Sequence, residues 1–169
     1  VSDTDRLAAL EQRVAELEQR FESRESPGEP APTPDAELFW ALEGLASRVD
    51  DPGAVLITGH VTLPDGRAAR WQESAGTRDL LDGDWTQQVA ALAALAHPAR
   101  IRLLQRILHG AGTAAELTQV DGIGTSGQVY HHLRQLVAAG WLHTRGGGRY
   151  EVPAARVVPL LTLLLGARR

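Results

Sequence analysis

The chain has no cysteine and no lysine, and no long apolar run. Each absence narrows the chemistry. Without thiols there are no disulfides, no thiolate metal ligands and no cysteine nucleophile. The most apolar stretch, "VVPLLTLLLGA", is broken by Pro159 and falls well short of the ~20 residues that a bilayer-spanning helix requires. The opening residues are charged rather than apolar, so no secretory signal is read there, and a bacterial cytoplasm is the expected location. No Ser/His/Asp grouping or glycine-rich phosphate loop is found, because "TRGGGR" sits in a hairpin rather than at a helix start. Neither an enzyme nor a cofactor is expected.

What is present is enough for one ordinary core with appendages, or for two small domains: 169 residues, 43% of them hydrophobic. With lysine absent, all 17 basic residues are Arg, and the net charge of −4 conceals a division along the chain. Residues 1–96 carry 8 Arg against 18 Asp and Glu, a balance of −10; residues 97–169 carry 9 Arg against Glu116, Asp121 and Glu151, a balance of +6. The C-terminal part is therefore the one suited to a polyanion.

The segment "DRLAALEQRVAELEQRF" spaces Leu7, Leu10, Val14, Leu17 and Phe21 three and four residues apart. With Leu7, Val14 and Phe21 at a positions, Arg6 and Arg13 fall at g and Glu11 and Glu18 at the following e positions, which suits a short parallel coiled coil. One amphipathic helix packed on its own domain is the alternative. "SRESPGEPAPTPD" has four prolines and reads as a disordered linker. Asp35 then suits the cap of a helix facing inward through Leu38, Leu42, Leu45 and Val49. "AVLITGHVTLPDGRAARWQES" alternates Val55, Ile57, Gly59, Val61 and Leu63 on one face, and turns at Pro64-Asp65-Gly66. A helix and a hairpin alone bury little, so this unit is expected to lean on a partner subunit or on the C-terminal domain.

From Asp84 the pattern is helical. Asp84 suits the cap of a first helix reaching about Leu95, and Pro98 opens a second that faces inward through Ile101, Leu104, Ile107 and Leu108. His109-Gly110 ends it. Thr113 with Glu116, and Thr125 with Gln128, are spaced as capping boxes around the short turn "DGIG". After Gly140, "WLHTRGGGRYEV" reads as two short strands about a triple-glycine turn. The expected architecture is mainly α with small β: a coiled-coil helix over 1–22, a linker over 23–35, a helix plus β-hairpin unit over 36–82, and a winged helix-turn-helix over 84–166.

"LAALAHPARIRLLQRIL", "TAAEL" and "SGQVYHHLRQLVAAGWL" together resemble the ArsR family of bacterial winged-helix repressors, over roughly Trp85 to Leu165. The resemblance implies a homodimer that binds operator DNA and regulates transcription, and it does not extend to the segments before Trp85. It puts DNA reading on Thr125, Ser126, Gly127, Gln128, Tyr130 and His131, with Arg134 one turn on at a phosphate. Gly127 departs from the family pattern by offering no side chain. Gln128 has two possible roles, capping Thr125 or reaching adenine in the major groove. Arg145 and Arg149 flank Gly146, Gly147 and Gly148 in a basic tip suited to phosphates or the minor groove, the alternative being a solvated turn.

The resemblance also places the dimer on the first and last helices. Leu92 and Leu95 on the former, and Leu160, Leu161 and Leu164 on the latter, are the candidate contacts, joined by Leu7, Leu10, Val14 and Leu17 of the coil. Pro159 either kinks the last helix or marks its start. The family's thiolate metal sites need cysteine, and its other common site needs His and carboxylates on the last helix, where none occur, so no metal is expected. His60, His97, His109 and His143 lack chelate spacing. Adjacent His131 and His132 point ~100° apart on a helix and cannot act as a simple pair; His131 is expected on the DNA-facing side and His132 against neighbouring elements. Two further readings stay open. One is a protein-interaction or dimerisation module built on the coil and hairpin; the other is a small-molecule-responsive regulator sensing through residues 36–82, with Trp40 or Trp71 lining a pocket. A small-molecule or protein effector joins DNA and a second copy among the candidate partners.

Overall fold

The structure is a computed structural model that describes residues 12–14, 38–119 and 122–168, and the chain divides into two compact units, residues 1–48 and 49–169. Leu7, Leu10, Leu17, the linker and the Asp35 cap lie outside the described residues. Residues 12–14 are helical and Val14 is half exposed. The first unit also holds helix α1 (Trp40–Ala46). Its intended inward face is open at Leu38 and Leu42 and only partly covered at Leu45. The helix and the hairpin, which the sequence groups over 36–82, fall on either side of the division at 48/49.

The second unit begins with an antiparallel hairpin of β1 (Ala54–Thr62) and β2 (Ala68–Gly76). Its period-two face carries Ile57, Gly59 and Val61, with Ala69 and Trp71 opposite. Burial concentrates at the turn end, where Leu63 and Ala69 join the core, while Val55 at the open end is 54% exposed. The expected inward alternation therefore fails at Val55, which pairs with Ala75 at the end of the hairpin remote from that core. A short helix α2 (Thr77–Asp82), not anticipated from sequence, follows directly. Asp84 then accepts from the Thr86 amide at 3.0 Å, but the turn it caps is a 3₁₀ turn, Trp85–Gln88, ahead of α3 (Val89–Leu95).

Helix α4 (Pro98–Leu108) starts with Pro98 in its first turn and with His97 Nδ1 accepting from the Ala99 amide at 3.1 Å. The buried stripe is Ala99, Leu103 and Ile107 with Leu104 and Leu108, whereas Ile101 is only partly buried. The expected face is thus corrected: the i, i+4 row from Ala99 takes Leu103 into the core instead of Ile101. Next come α5 (Ala114–Thr118), α6 (Ser126–Ala138), the hairpin β3 (His143–Arg145) and β4 (Arg149–Glu151), and α7 (Ala154–Gly166). Pro159 lies inside α7, so it does not mark that helix's start. Two two-stranded antiparallel sheets within an otherwise helical unit make this a mainly α fold with small β.

One core serves the whole second unit. Leu103, Leu117, Val129, Leu133, Leu136 and Val152 are fully buried, joined by Val157 and Leu160 of α7. The hairpin β1–β2 packs across α7, and it does so through the residue with no side chain: a Cβ at Gly59 would stand 2.6 Å from Val158 Cγ1. Of the two supports expected for the hairpin, the C-terminal helices supply one within the chain itself.

Candidate nucleic-acid interface

Helix α5 is fixed at both levels. The Thr113 hydroxyl accepts from the Glu116 amide at 3.2 Å, and the Glu116 carboxylate accepts from the amides of Gly112 and Thr113, both at 2.8 Å. Those two amides hold Glu116 at a pKa of about 2, with a smaller contribution from the Arg149 charge. Leu117 seats the helix in the core, and Ile123, 4% exposed, pins the turn that follows. Gly124 has φ +101°, and a side chain there would collide with the Gln128 carboxamide.

On α6 the 3.6-residue period sorts side chains onto two sides. Val129, Leu133 and Leu136 are fully buried, while Ser126, Gly127, Gln128, Tyr130, His131 and Arg134 are exposed, as is Thr125 ahead of them. Gln128 Oε1 accepts from the Thr125 amide at 2.8 Å and from its hydroxyl at 3.4 Å. Of its two roles the structure holds the cap, with the carbonyl oxygen engaged there.

His131 and His132 part company as adjacent helical residues must. His131 is exposed; His132 is partly buried, with its ring 4.6 Å from that of His97 and tilted by 43°. Its Nδ1 is buried without a hydrogen-bond partner. Burial first, and then the charges of His97, Arg100 and His131, push the His132 pKa below the usual histidine range. His97, Thr125, Gly127, Gln128, His131 and His132 border an open cavity of about 570 Å³ between the starts of α4 and α6. Elsewhere, His109 Nδ1 lies 2.7 Å from the Gln105 carbonyl, and His60 is exposed on β1.

In the second hairpin the register opposes Arg145 to Arg149 and His143 to Glu151, so all four share one face. Gly147 and Gly148, at φ +75° and +69°, make the turn between the strands. Neither arginine extends freely. Arg145 Nε forms an ion pair with Glu151 Oε2 at 3.0 Å, though its side chain remains 69% exposed. Arg149 lies over the backbone of Gly112, where a Cβ would come 2.7 Å from its Nη2, and the Tyr150 amide donates to the Gly112 carbonyl at 2.7 Å. Glu151 also accepts from Arg67 in the β1–β2 turn, and His143 Nε2 stands 3.6 Å away. Sequence reasoning missed Arg67 and Glu151. The only local trace was the acid two residues beyond Arg149, on the same face of a two-periodic strand.

The candidate dimer residues separate by burial. Leu160 is 1% exposed and belongs to the core of its own chain; Leu95 and Leu161 are partly buried; Leu92 and Leu164 are 49% and 41% exposed. Leu163 and Leu165 extend the apolar surface at the end of α7. Trp40 is exposed on α1, and Trp71 is partly buried with Nε1 donating to Glu73 at 3.2 Å.

No helix among the described residues is long and apolar enough to cross a membrane. No family model matches the chain. It is similar to a protein of Streptomyces lividans described as "Probable mercury resistance operon repressor", with 42% identity over 73 residues, which is 41% of this chain and 58% of that relative. The chain thus spans little more than half the length of the curated relative it matches.

Proposed function

We propose that this protein is a dimeric, sequence-specific DNA-binding transcriptional regulator of the ArsR-like winged-helix type, acting as a repressor. The observation that carries the reading is the two-sided α6. Three fully buried apolar residues fix its rotation, and the opposite side presents Ser126, Tyr130, His131 and Arg134 directly after a capped short helix and a glycine turn. The similarity to a protein described as a repressor supports the same reading.

In this reading α6 enters the major groove, where Ser126, Tyr130 and His131 meet base edges and Arg134 a phosphate. The Gln128 carbonyl stays on its cap, which leaves the amide NH₂ as the group able to accompany them. Arg145 and Arg149 approach the flanking backbone. Leu92, Leu161 and Leu164 supply the two-fold contact, setting two α6 helices ~34 Å apart, one turn of DNA. The mercury in the relative's description is not carried over to this chain as a ligand, because these 169 residues contain no cysteine and soft metal ions are held by thiolates.

Selection of bound sequences from random DNA tests this directly. An inverted repeat should emerge, and the purified protein should bind that duplex with an affinity that falls steeply with salt. Equal affinity for selected and random duplexes at ~100 mM salt would overturn the proposal.

A further inference from the structure

The β1–β2 turn "LPDGR" is built to aim its last residue. Asp65 accepts from the Arg67 amide at 3.1 Å and from Arg67 Nε at 2.7 Å, which pins the guanidinium on one edge and leaves Nη1 to reach Glu151, 84 residues away in sequence. Glu151 divides its two oxygens between two arginines: Oε1 takes Arg67 and Oε2 takes Arg145. The carboxylate is the least free of the three side chains, 17% exposed against 34% for Arg67 and 69% for Arg145.

The two arginines are not held alike. Arg67 is braced at both ends, by Asp65 and by Glu151, whereas Arg145 is attached through Nε alone. Arg145 is therefore the one able to leave, into the open space of about 510 Å³ bordered by Arg67, Arg145, Arg149 and Glu151. Its departure toward a phosphate has a cost. Were it the sole cation on Glu151, a mostly buried carboxylate would be left unpaired beside a polyanion, and both the lost pairing and the repulsion would oppose contact.

We propose that Arg67 is a positioning residue for DNA contact: it holds Glu151 while Arg145 moves to a phosphate, so that the β1–β2 hairpin sets how readily the β3–β4 hairpin engages DNA. This rests on the proposed function, in which the β3–β4 hairpin touches the DNA backbone. It gives the first hairpin a role in binding although no residue of it is placed on the DNA.

The test measures affinity and its salt dependence on the selected duplex for the full chain and five variants. Arg145→Ala, which removes one contact from each protomer of the proposed dimer, should weaken binding at least about tenfold and flatten the log–log salt slope by ~1.8, two phosphate contacts. Arg67→Met, which keeps an unbranched apolar stem, should reproduce both changes without touching DNA, and Arg67→Lys should restore most of the affinity. Glu151→Gln should bind at least as well as the parent. The double variant Arg67→Met with Glu151→Gln should recover parental affinity and slope, because no carboxylate is left to neutralise. A merely structural Arg67 gives a loss that Glu151→Gln does not rescue, and that result overturns the inference. Parental binding by Arg67→Met beside a weakened Arg145→Ala overturns the inference alone. A neutral Arg145→Ala overturns the reading of the β3–β4 hairpin as a DNA contact, and the inference with it.

Discussion

Gly59 of β1 and Val158 of α7 are in contact so close that a single added methyl at position 59 would lie 2.6 Å from Val158 Cγ1 and 3.1 Å from Cγ2. Val158 is 3% exposed and fixed on the helix, so it cannot swing aside as the end of a long side chain could. Gly59→Ala should therefore destabilise the fold by about 1–3 kcal/mol through overpacking. Pairing it with Val158→Ala should recover part of that loss in a double-mutant cycle read by urea unfolding. Additive losses would mean the hairpin shifts rather than presses on α7.

His132 makes stability depend on pH near neutrality. Burial and the neighbouring charges of His97, Arg100 and His131 place its folded pKa below the ordinary 6.5. The unfolded chain then binds a proton that the folded chain refuses. The stabilisation is complete above pH ~6.5 and is lost as pH falls toward the lowered folded value. Melting temperatures should decline from pH 8 to pH 5, and His132→Leu should flatten that decline while His131→Ala, which removes only the last of these causes, should leave most of it in place. His131→Ala should instead weaken DNA binding; the reverse pattern would mean that α6 turns the His132 side, not the His131 side, toward DNA.

Local signals were legible in the sequence and long-range ones were not. Thr113 with Glu116, His97-Pro98 and the glycine turns could be read because a cap or a positive φ is decided within four residues. On α4 the expected Leu104, Ile107 and Leu108 are buried, and only Ile101 gives way to Leu103, since "RIRLLQRIL" offers two overlapping apolar stripes and the packing of α6 selects between them. Helix α2 escaped notice because the six residues of "TRDLLD", five of them exposed and none buried, show no stripe to read. Pro159 remained ambiguous, because proline suits a first turn and its presence in the interior depends on the neighbours that hold the helix. At the candidate interface the exposed side of α6 followed from its period alone. The Arg67–Glu151 contact could not, as nothing local in "DGR" or "RYE" indicates that the two turns meet.

The Glu116 carboxylate supports α5 in a second pH window. Its pKa of about 2, against an ordinary 4.5, means that the stabilisation from the Gly112 and Thr113 amides is present in full above pH ~4.5 and disappears as pH falls to about 2. Glu116→Gln should lower the melting temperature at pH 7 and remove the acid-side dependence over that range. Thr113→Ala should cost about 1 kcal/mol near neutral pH, since it deletes the hydroxyl half of the same capping box, and less in acid, because that hydroxyl also helps to hold the Glu116 pKa down. If Glu116→Gln and the parent titrate alike between pH 5 and pH 2, the box does not supply the acid sensitivity.

Two leucines that look equivalent in "VVPLLTLLLG" separate the chain's own core from a surface available to a second copy. Leu160 is 1% exposed and Leu164 41%. Leu160→Ala should therefore lower stability by about 2–5 kcal/mol, as for any large-to-small change in a closed core. Leu164→Glu, alone or with Leu92→Glu, should lower the melting temperature of the isolated chain far less than Leu160→Ala does, because these side chains are 41% and 49% exposed and a glutamate there can keep its carboxylate in water. If the proposed two-fold contact lies here, light scattering after size exclusion should report a monomer. Affinity for the selected inverted repeat should then fall by about a hundredfold, since each half-site must be bound without the other's effective concentration. A Leu92→Glu/Leu164→Glu protein that stays dimeric and binds as the parent does would move the dimer contact away from α3 and α7.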